Sequence, residues 1–399
     1  MAFYDVVISG AGPAGSSAAL FLARKGYRVL LLEKASFPRD KVCGDGITSV
    51  ASALLDEMGV MEFVRNKIGR LIAFKGVTIF SPSGGIVRGR ISQTPCSVGE
   101  AYVIPRKILD DCIVAAVKEH PSITLLENTT VNDLTIHDDR AGGVISSKGE
   151  FEGRVVIAAD GFYSPIAKWL NLSNNQKNHH GVAIRAYFSQ VEGLTDSIEL
   201  HYEKSMLPGY GWVFPAGKTS ANIGVGVFTR FTDQRGLKRL FEWFVTESAM
   251  ASGKLKHAIM ESGTLRAWPL PLGSFHGRRG RGNVLLTGDA GSFVDPLTGE
   301  GIYYALKSGQ LAAEAAGRAM DADDELRATN IYEKLWRKEF QFHDFRVGYT
   351  LQSLLNHEYI LESLARIASK KQIRADLLAD VICHNRKKIE LLKLIIPFF

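Results

Sequence analysis

The sequence predicts an α/β protein in three parts: a Rossmann-like domain assembled from discontinuous segments, an inserted antiparallel β-sheet domain, and a helical C-terminal region. Three observations carry this expectation. The chain opens on an apolar strand that runs directly into a Gly-x-Gly-x-x-Gly turn and a helix. Between about residues 175 and 265 the pattern changes to short strands with turn signals between them. From 321 to 399 strand alternation is lost and the chain reads as helical. The boundaries that follow are 1–75, 96–175 and 265–320 for the Rossmann-like domain, 76–95 and 176–264 for the sheet domain, and 321–399 for the helical region.

Val6, Val7 and Ile8 make an apolar run bounded at once by glycine, which reads as a buried parallel strand. Gly10 permits a tight turn, Gly12 lets the backbone approach a pyrophosphate, and Gly15 lets the next helix pack closely. Ala11, Pro13 and Ala14 complete that turn. A helix over 16–25 would point its N-terminal amides and positive dipole end at phosphates. A second strand, 28–32, ends in Glu33, where this fingerprint needs an acceptor for ribose hydroxyls. Glycines alone would fit any tight α/β turn. Strand, glycines, helix, strand and acid in register point to a bound dinucleotide.

A loop rich in charge and glycine follows from Phe37 to Gly46, then a helix over 48–59. Two strands, 76–80 and 85–91, read as a hairpin that interrupts the nucleotide-binding pattern. Helical periodicity resumes over 106–117, with strands at 123–127, 143–147 and 151–159. The sheet domain supplies strands at 182–190, 197–202, 211–215 and 221–229, and then helices at 237–247 and 251–258. A last apolar strand, 283–287, precedes a helix from 302 to about 320.

Composition excludes several function classes. At 46% hydrophobic and 23% charged, the 399-residue chain is ordinary for a globular protein. A net charge of +6 is mild, and no basic stripe interleaves with aromatics, so nucleic acid is not expected as a partner. Cys43, Cys96, Cys112 and Cys383 are scattered without metal-ligand spacing, which suggests reduced thiols, a cytoplasmic setting and no metal. The chain starts directly on a strand, leaving no room for a signal peptide, and no apolar run is long enough to span a bilayer.

Two acid–glycine pairs stand at the carboxyl ends of apolar strands, Asp160-Gly161 and Gly288-Asp289. That edge of an open α/β sheet is where ligands bind, although each pair alone also fits a strand-ending turn. The stretch from Pro296 to Gly301 immediately precedes a helix; its amides would favour negative charge on a ring carbonyl, or simply cap the helix. Tyr210, Trp212 and Phe214, at alternate positions, share one face of a strand. They form either a cavity wall or an aromatic core of the sheet.

Taken in order, Gly10-x-Gly12-x-x-Gly15, Glu33, Asp160-Gly161 and Gly288-Asp289 followed by Pro296 to Gly301 resemble the flavoprotein monooxygenase superfamily, of the p-hydroxybenzoate hydroxylase fold. Two stretches narrow the resemblance. Arg39-Asp-Lys41-Val-Cys43-Gly44-Asp45-Gly46 and Pro208-Gly-Tyr210-Gly-Trp212-Val-Phe214-Pro215 are similar to signatures of the geranylgeranyl reductase family. The resemblance covers roughly residues 1–320.

It implies a tightly bound FAD. The adenosine would lie on Glu33 and Lys34, and the pyrophosphate on Gly10 to Gly15. Arg106, Asp289 and the Asp160-Gly161 pair would stand near the pyrophosphate or ribityl chain, unless Arg106 is only a solvated cation. The flavin ring would meet Gly299, Gly301, Ile302 and the Cys43-Gly44 turn, with Gly288 among the cofactor-binding residues. Tyr210, Trp212, Phe214 and Pro215 would line a hydrophobic tunnel for an apolar prenyl chain. Cys43, between Arg39 and Lys41, would have a lowered pKa and take part in reduction, or else be a passive buried thiol.

The implied activity is saturation of carbon–carbon double bonds of a polyprenyl lipid or quinone side chain. Electrons would come from NAD(P)H, ferredoxin or a quinol, since no second Gly-x-Gly-x-x-Gly follows a strand to build a separate NAD(P) domain. The rivals are an FAD-dependent monooxygenase and a non-catalytic FAD-binding protein. The end of the chain, with Arg386, Lys387, Lys388 and Lys393 among Ile389, Leu391, Leu392, Leu394, Ile395, Ile396, Pro397, Phe398 and Phe399, suits a basic interfacial anchor on a membrane, or docks on the protein's own helices.

Overall fold

Phe3–Ser9 is the middle strand of the first sheet, and its Val6, Val7 and Ile8 are sealed from solvent on both faces. The computed structural model describes residues 3–69, 71–92, 99–137, 140–228 and 234–395. The sheet runs in the order Gly280–Arg281, Val284–Leu286, Gly149–Ala158, Phe3–Ser9, Val29–Leu32, Ile123–Leu126. From Val284–Leu286 to Ile123–Leu126 every pairing is parallel. Helices Pro13–Ala23 and Ile302–Asp321 cover one face and lie close together. A Cβ added at Gly309 would fall 2.2 Å from the Ala14 carbonyl, and the Ser17 hydroxyl donates to Leu306 O at 2.7 Å.

Arg140–Ser146 and Val131–His137 extend this sheet as antiparallel strands. Val131–His137 is absent from the sequence expectation because register shifts in its pairing break the period-two pattern that would mark it. The helix expected over 48–59 is present as Ser49–Glu57, and a second helix that the sequence reading did not include follows it. Thr48 caps Ser49–Glu57, accepting a hydrogen bond from the Ala51 amide, and Gly59 in a left-handed conformation begins Val60–Ile68.

The second sheet runs Ile259–Met260, His180–Ser189, Ala221–Phe228, Tyr210–Pro215, Ser197–His201, Gly76–Phe80, Ile86–Arg90. It is antiparallel except at one joint, where Gly76–Phe80 pairs parallel with Ser197–His201. That joint follows from chain order: the two strands are separated by much of the first sheet, so no hairpin constrains their direction. Arg266–Pro271 also pairs with His180–Ser189. Its Pro269 and Pro271 argue against a strand when read in sequence, and an edge position accommodates them.

The C-terminal region is helical: Ala328–Trp336, Val347–Leu354, Glu358–Ser369 and Gln372–Ile382 are its main helices. Gln372–Ile382 lies on the Ile86–Arg90 strand, with a Cβ added at Gly89 falling 2.1 Å from Ala375 O. Of the basic residues expected to form a face at the end of the chain, Arg386 and Lys387 are exposed, but Lys388 turns inward. Lys388 is 1% exposed, with Nζ 2.6 Å from Asp295 and 3.3 Å from Asp344. A buried ammonium needs such partners, and the two carboxylates draw the segment inward. Leu391 and Leu394 are buried as well. The Lys393 and Ile395 side chains, Ile396, Pro397, Phe398, Phe399 and Cys96 lie outside the described residues. Among the described residues no helix is long and apolar enough to cross a membrane.

Candidate functional site

One cavity of about 880 Å³ opens between the two sheets and the C-terminal helices, and most of the residues singled out in sequence line it. Its first arm is built from backbone. Gly10 has φ +101°, and a Cβ there would lie 2.4 Å from Ala159 O. A Cβ on Gly15 would lie 1.9 Å from Gly10 O, so this glycine seats the helix on the strand. Gly12 differs from both. Only the Arg39 guanidinium, at 3.7 Å, would meet its Cβ, and the residue faces the cavity with Pro13 and Ala14. Ala11 and Gly15 are not among the lining residues; the Ala11 amide instead donates to Glu33 Oε2 at 2.9 Å.

Glu33, at the strand end, also accepts from the Ala35 amide at 3.0 Å, and it lines the cavity beside Lys34. Asp160 and Gly161 face the same arm. Both Asp160 oxygens are buried without a hydrogen-bond partner of normal geometry among the described residues. Burial pushes this carboxyl up to about 6, against the stabilising Ser164 hydroxyl. A buried acceptor without a partner fits a ligand that brings hydroxyl donors. Gly288 and Asp289 line the opposite side, with Asp289 3.7 Å from Lys41 Nζ.

Arg106 is not a solvated cation. It is 6% exposed and holds Asp110 with both prongs, at 2.7 and 2.8 Å, while Arg39 reaches the same carboxylate at 3.1 Å. Arg39 also stands 3.9 Å from Glu33, so the two guanidiniums are paired with carboxylates, and they place N–H donors at the cavity wall where a diphosphate could accept them. Open backbone at Gly12, the unpartnered Asp160 and these donors together fit FAD.

The second arm is built from side chains. Tyr210, Trp212 and Phe214 all line it, and Val213 points the other way into the sheet's core. The three rings therefore face the cavity, and the core of the sheet on the other side of this strand is filled by Val213. Pro215 falls on Val213's face and is not a lining residue, a correction that follows from the two-residue period. The Trp212 ring lies over Gly224, where a Cβ would be 2.2 Å from it. The Tyr210 hydroxyl donates to Thr298 O, and its oxygen is 3.4 Å from where a Gly299 Cβ would stand. Gly301 and Ile302, at the start of the long helix, complete that wall. The arm continues between Ile79 and Leu200 on the sheet, with Phe74 beside them, and Leu361, Leu364 and Leu394 from the C-terminal region.

Cys43 and Gly44 sit where the two arms meet, with Gly44 and Gly46 backed onto the Phe214 ring. The expected lowering of the thiol pKa is not found. Burial pushes the Cys43 thiol up to about 11. Its two neighbouring cations are engaged elsewhere, Arg39 with Asp110 and Lys41 with Asp289 and the Trp268 ring. Cys43 is thus a thiol rather than a thiolate near neutral pH.

Sequence reasoning missed a polar cluster behind this junction. Asp45 is fully buried and accepts from the Tyr187 hydroxyl at 2.5 Å, Asn222 Nδ2 at 2.8 Å and the Arg106 amide at 3.2 Å. Asn222 also donates to Cys43 O at 2.8 Å and accepts from Trp212 Nε1 at 2.9 Å. The available signal was weak: Asn222 interrupts a strand that otherwise reads as apolar or glycine, whereas Tyr187 stands in one that also carries His180 and Arg185. Glu300 was also passed over; burial pushes it up to about 7, and it accepts from the Tyr303 amide at 2.8 Å.

Comparison with known proteins agrees with this geometry. The family described as FAD binding domain matches residues 3–319. Digeranylgeranylglycerophospholipid reductase of Methanocaldococcus jannaschii is 31% identical over 405 residues, covering 98% of this chain and 94% of the relative. Conditioned medium factor receptor 1 of Dictyostelium discoideum is 31% identical over 392 residues, covering 93% of this chain and 74% of that protein. A geranylgeranyl bacteriochlorophyll reductase-like protein from Thermoplasma acidophilum, 24% identical, superposes with a TM-score of 0.83 over 98% of this chain and 99% of its own. At that identity the superposition speaks for the fold alone.

Proposed function

The chain belongs to the FAD-binding domain family and is an FAD-dependent oxidoreductase, and from that premise we propose that it saturates carbon–carbon double bonds of a polyprenyl lipid. The observation that carries this reading is a single cavity whose backbone-lined arm suits a dinucleotide and whose other arm is walled by aromatic and aliphatic side chains. An arm of that kind takes a long apolar chain, and a reductase among the relatives is named for a lipid with such chains. The receptor name of another relative keeps a non-catalytic reading as the alternative to be tested.

FAD, when bound, supplies the hydride; the protein supplies position, exclusion of water and the proton. Gly12, Pro13, Ala14 and the helix N-terminus would hold the pyrophosphate, with Glu33 and Lys34 beside the adenosine. Asp160 and Asp289 would accept from sugar or ribityl hydroxyls. Arg106 contributes N–H donors at the cavity wall. Gly299, Gly301 and Ile302 present helix-start amides toward developing negative charge. Tyr210, Trp212 and Phe214 press a double bond against the Cys43-Gly44 turn and keep water away. Cys43, held as a thiol, carries a proton at Sγ at that junction. The electron donor would be NAD(P)H, ferredoxin or a quinol.

We also infer a peripheral contact with a membrane. Leu354 and Leu392 are exposed, while Leu355 and Leu391, next to them in the chain, line the cavity. An opening of the apolar arm beside them is part of this reading. Exposed Tyr359, Ile373, Lys370 and Lys371 belong to the same C-terminal region, so an apolar and basic surface there suits an anionic bilayer.

The decisive experiment is anaerobic incubation of dithionite-reduced enzyme with a digeranylgeranyl glycerophospholipid, followed by mass spectrometry. Stepwise addition of hydrogen pairs is expected. Product that contains oxygen and forms only in air would make the protein a monooxygenase, and absence of turnover with any donor would make it a non-catalytic flavoprotein.

A further inference from the structure

We propose that Asn222 and Asp45 form a positioning bridge that locks the Cys43 turn to the Trp212 wall, so that both sides of the reacting double bond are held as one piece. The proposal rests on the prenyl-reductase reading above. Its geometric basis does not.

Asn222 lies in the middle of the second sheet, opposite Phe214, in a strand that is otherwise apolar or glycine. It is fully buried and is not among the cavity-lining residues, so any effect it has must pass through its partners. A primary amide buried in such surroundings is costly unless its bonds are made. Here both ends are used, and all three partners belong to the wall. Oδ1 accepts from Trp212 Nε1, and Nδ2 serves both Cys43 O and Asp45 Oδ2. Asp45 continues the connection. Its carboxylate takes the Tyr187 hydroxyl and the Arg106 amide, its own amide donates to Cys43 Sγ at 3.3 Å, and its carbonyl accepts from the Ile104 amide at 2.9 Å.

The backbone of Asp45 has φ +66°, a conformation that non-glycine residues seldom hold without compensation. Aspartate is one of the few non-glycine residues that tolerate this conformation, and here, between Gly44 and Gly46, its side chain is bonded on both oxygens. A buried network with every member satisfied rigidifies its surroundings. Little slack exists: a Cβ on Gly44 or Gly46 would stand 3.3 Å from the Phe214 ring, so the turn and the aromatic strand are already in close contact.

The charged and titratable groups facing Asp45 are Arg106, Arg185 (itself bound to Asp40 at 2.7 Å), Tyr187 and Cys43. Burial outweighs them and pushes the Asp45 carboxyl up to about 6. The bridge is therefore anionic at neutral pH and loses an acceptor below about 6.

The test uses FAD-loaded Asn222→Ala, Asp45→Asn and the exchanged pair Asp45→Asn with Asn222→Asp. The readouts are flavin content, kcat and KM for the digeranylgeranyl lipid, and the rate at which iodoacetamide modifies Cys43, read by peptide mass. Asn222→Ala should keep its flavin, lose about 10²-fold in kcat through misplacement of the turn, and expose Cys43 to alkylation about tenfold faster. The exchanged pair restores the link between 45 and 222 and the Trp212 acceptor but leaves Cys43 O without its donor. It should therefore keep KM near the wild-type value without recovering kcat. Asp45→Asn keeps the shape and should lose the fall in kcat below about pH 6.

Wild-type kcat with wild-type alkylation in Asn222→Ala overturns the bridge. So does loss of flavin from Asp45→Asn, because the pair would then belong to the cofactor wall. If the wild-type enzyme itself reduces no prenyl lipid, the functional reading fails, while the alkylation rate still decides the bridge.

Discussion

The two arms of the cavity are walled by different materials. The dinucleotide arm is made of backbone: Gly12 stands open to it, and the helix beginning at Pro13 ends on it. The lipid arm is made of side chains from separated segments, including Phe74, Leu200, Trp212 and Leu364. Backbone offers oriented N–H dipoles and no adjustable shape, which suits a diphosphate. Side chains offer shape and exclude water, which suits a chain that makes no hydrogen bonds. Damage should accordingly be all-or-none in the first arm and graded in the second.

The largest effect is expected at Gly12. Gly12→Val places branched methyls where a pyrophosphate must approach, and the purified protein should be folded and colourless. Gly15→Val is a useful contrast. Its Cβ would collide with Gly10 O, so it should fail to fold rather than merely lose flavin. Retention of full flavin by Gly12→Val, measured by absorbance against protein, would remove the distinction between the arms.

The next effect lies at the junction. Cys43→Ala should keep its flavin and reduce the lipid about 10²-fold more slowly, the usual contribution of a positioned proton donor. Because burial pushes the thiol up to about 11, Cys43 remains protonated throughout the neutral range. Its alkylation rate should climb as pH rises toward 11, since only the thiolate reacts. A rate already level between pH 7 and 9 would restore the low-pKa thiolate that the flanking cations first suggested. Undiminished turnover in Cys43→Ala would leave the residue as packing.

In the lipid arm alone, Trp212→Ala should raise KM for the prenyl substrate about tenfold, equivalent to about 1.4 kcal/mol, with flavin content unchanged. Flavin loss in this variant would place the indole in the cofactor wall and join the two arms energetically.

This difference in materials also explains what the sequence disclosed. Gly10, Gly12, Gly15, Asp160-Gly161 and Gly288-Asp289 were legible because backbone sites need a few residue types at fixed local spacing. The alternation of Tyr210, Trp212 and Phe214 was legible for the same reason. The bridge was not, because Asn222 and Asp45 are 177 residues apart and meet only through sheet register. Lys388 was misread as part of a basic face because its partners, Asp295 and Asp344, reach it only after the C-terminal segment folds back. Cys43 lines the cavity, but of its two sequence readings the lowered thiol pKa is not met. Charge proximity in sequence said nothing of burial, or of the carboxylates that occupy Arg39 and Lys41.

The smallest expected effect extends the lipid arm beyond the protein. Leu354, Tyr359 and Ile373 are 41%, 80% and 75% exposed, so replacing them with serine removes no core packing. Leu354→Ser with Tyr359→Ser should leave flavin content and thermal stability unchanged and lower flotation with anionic phospholipid vesicles a few-fold. The same variant should retain full activity on substrate dispersed in detergent, where no bilayer has to be met. Binding should also fall as salt rises, since each basic residue near an anionic surface adds about 1 kcal/mol that counterions screen. Ending the chain before Lys388 is the wrong experiment, because that lysine pairs with Asp295 beside Leu297 and Thr298, and its removal would disturb the cavity together with the surface. Equal flotation of the wild type and the serine variant would mean that the lipid arm opens to water and that its substrate arrives by another carrier.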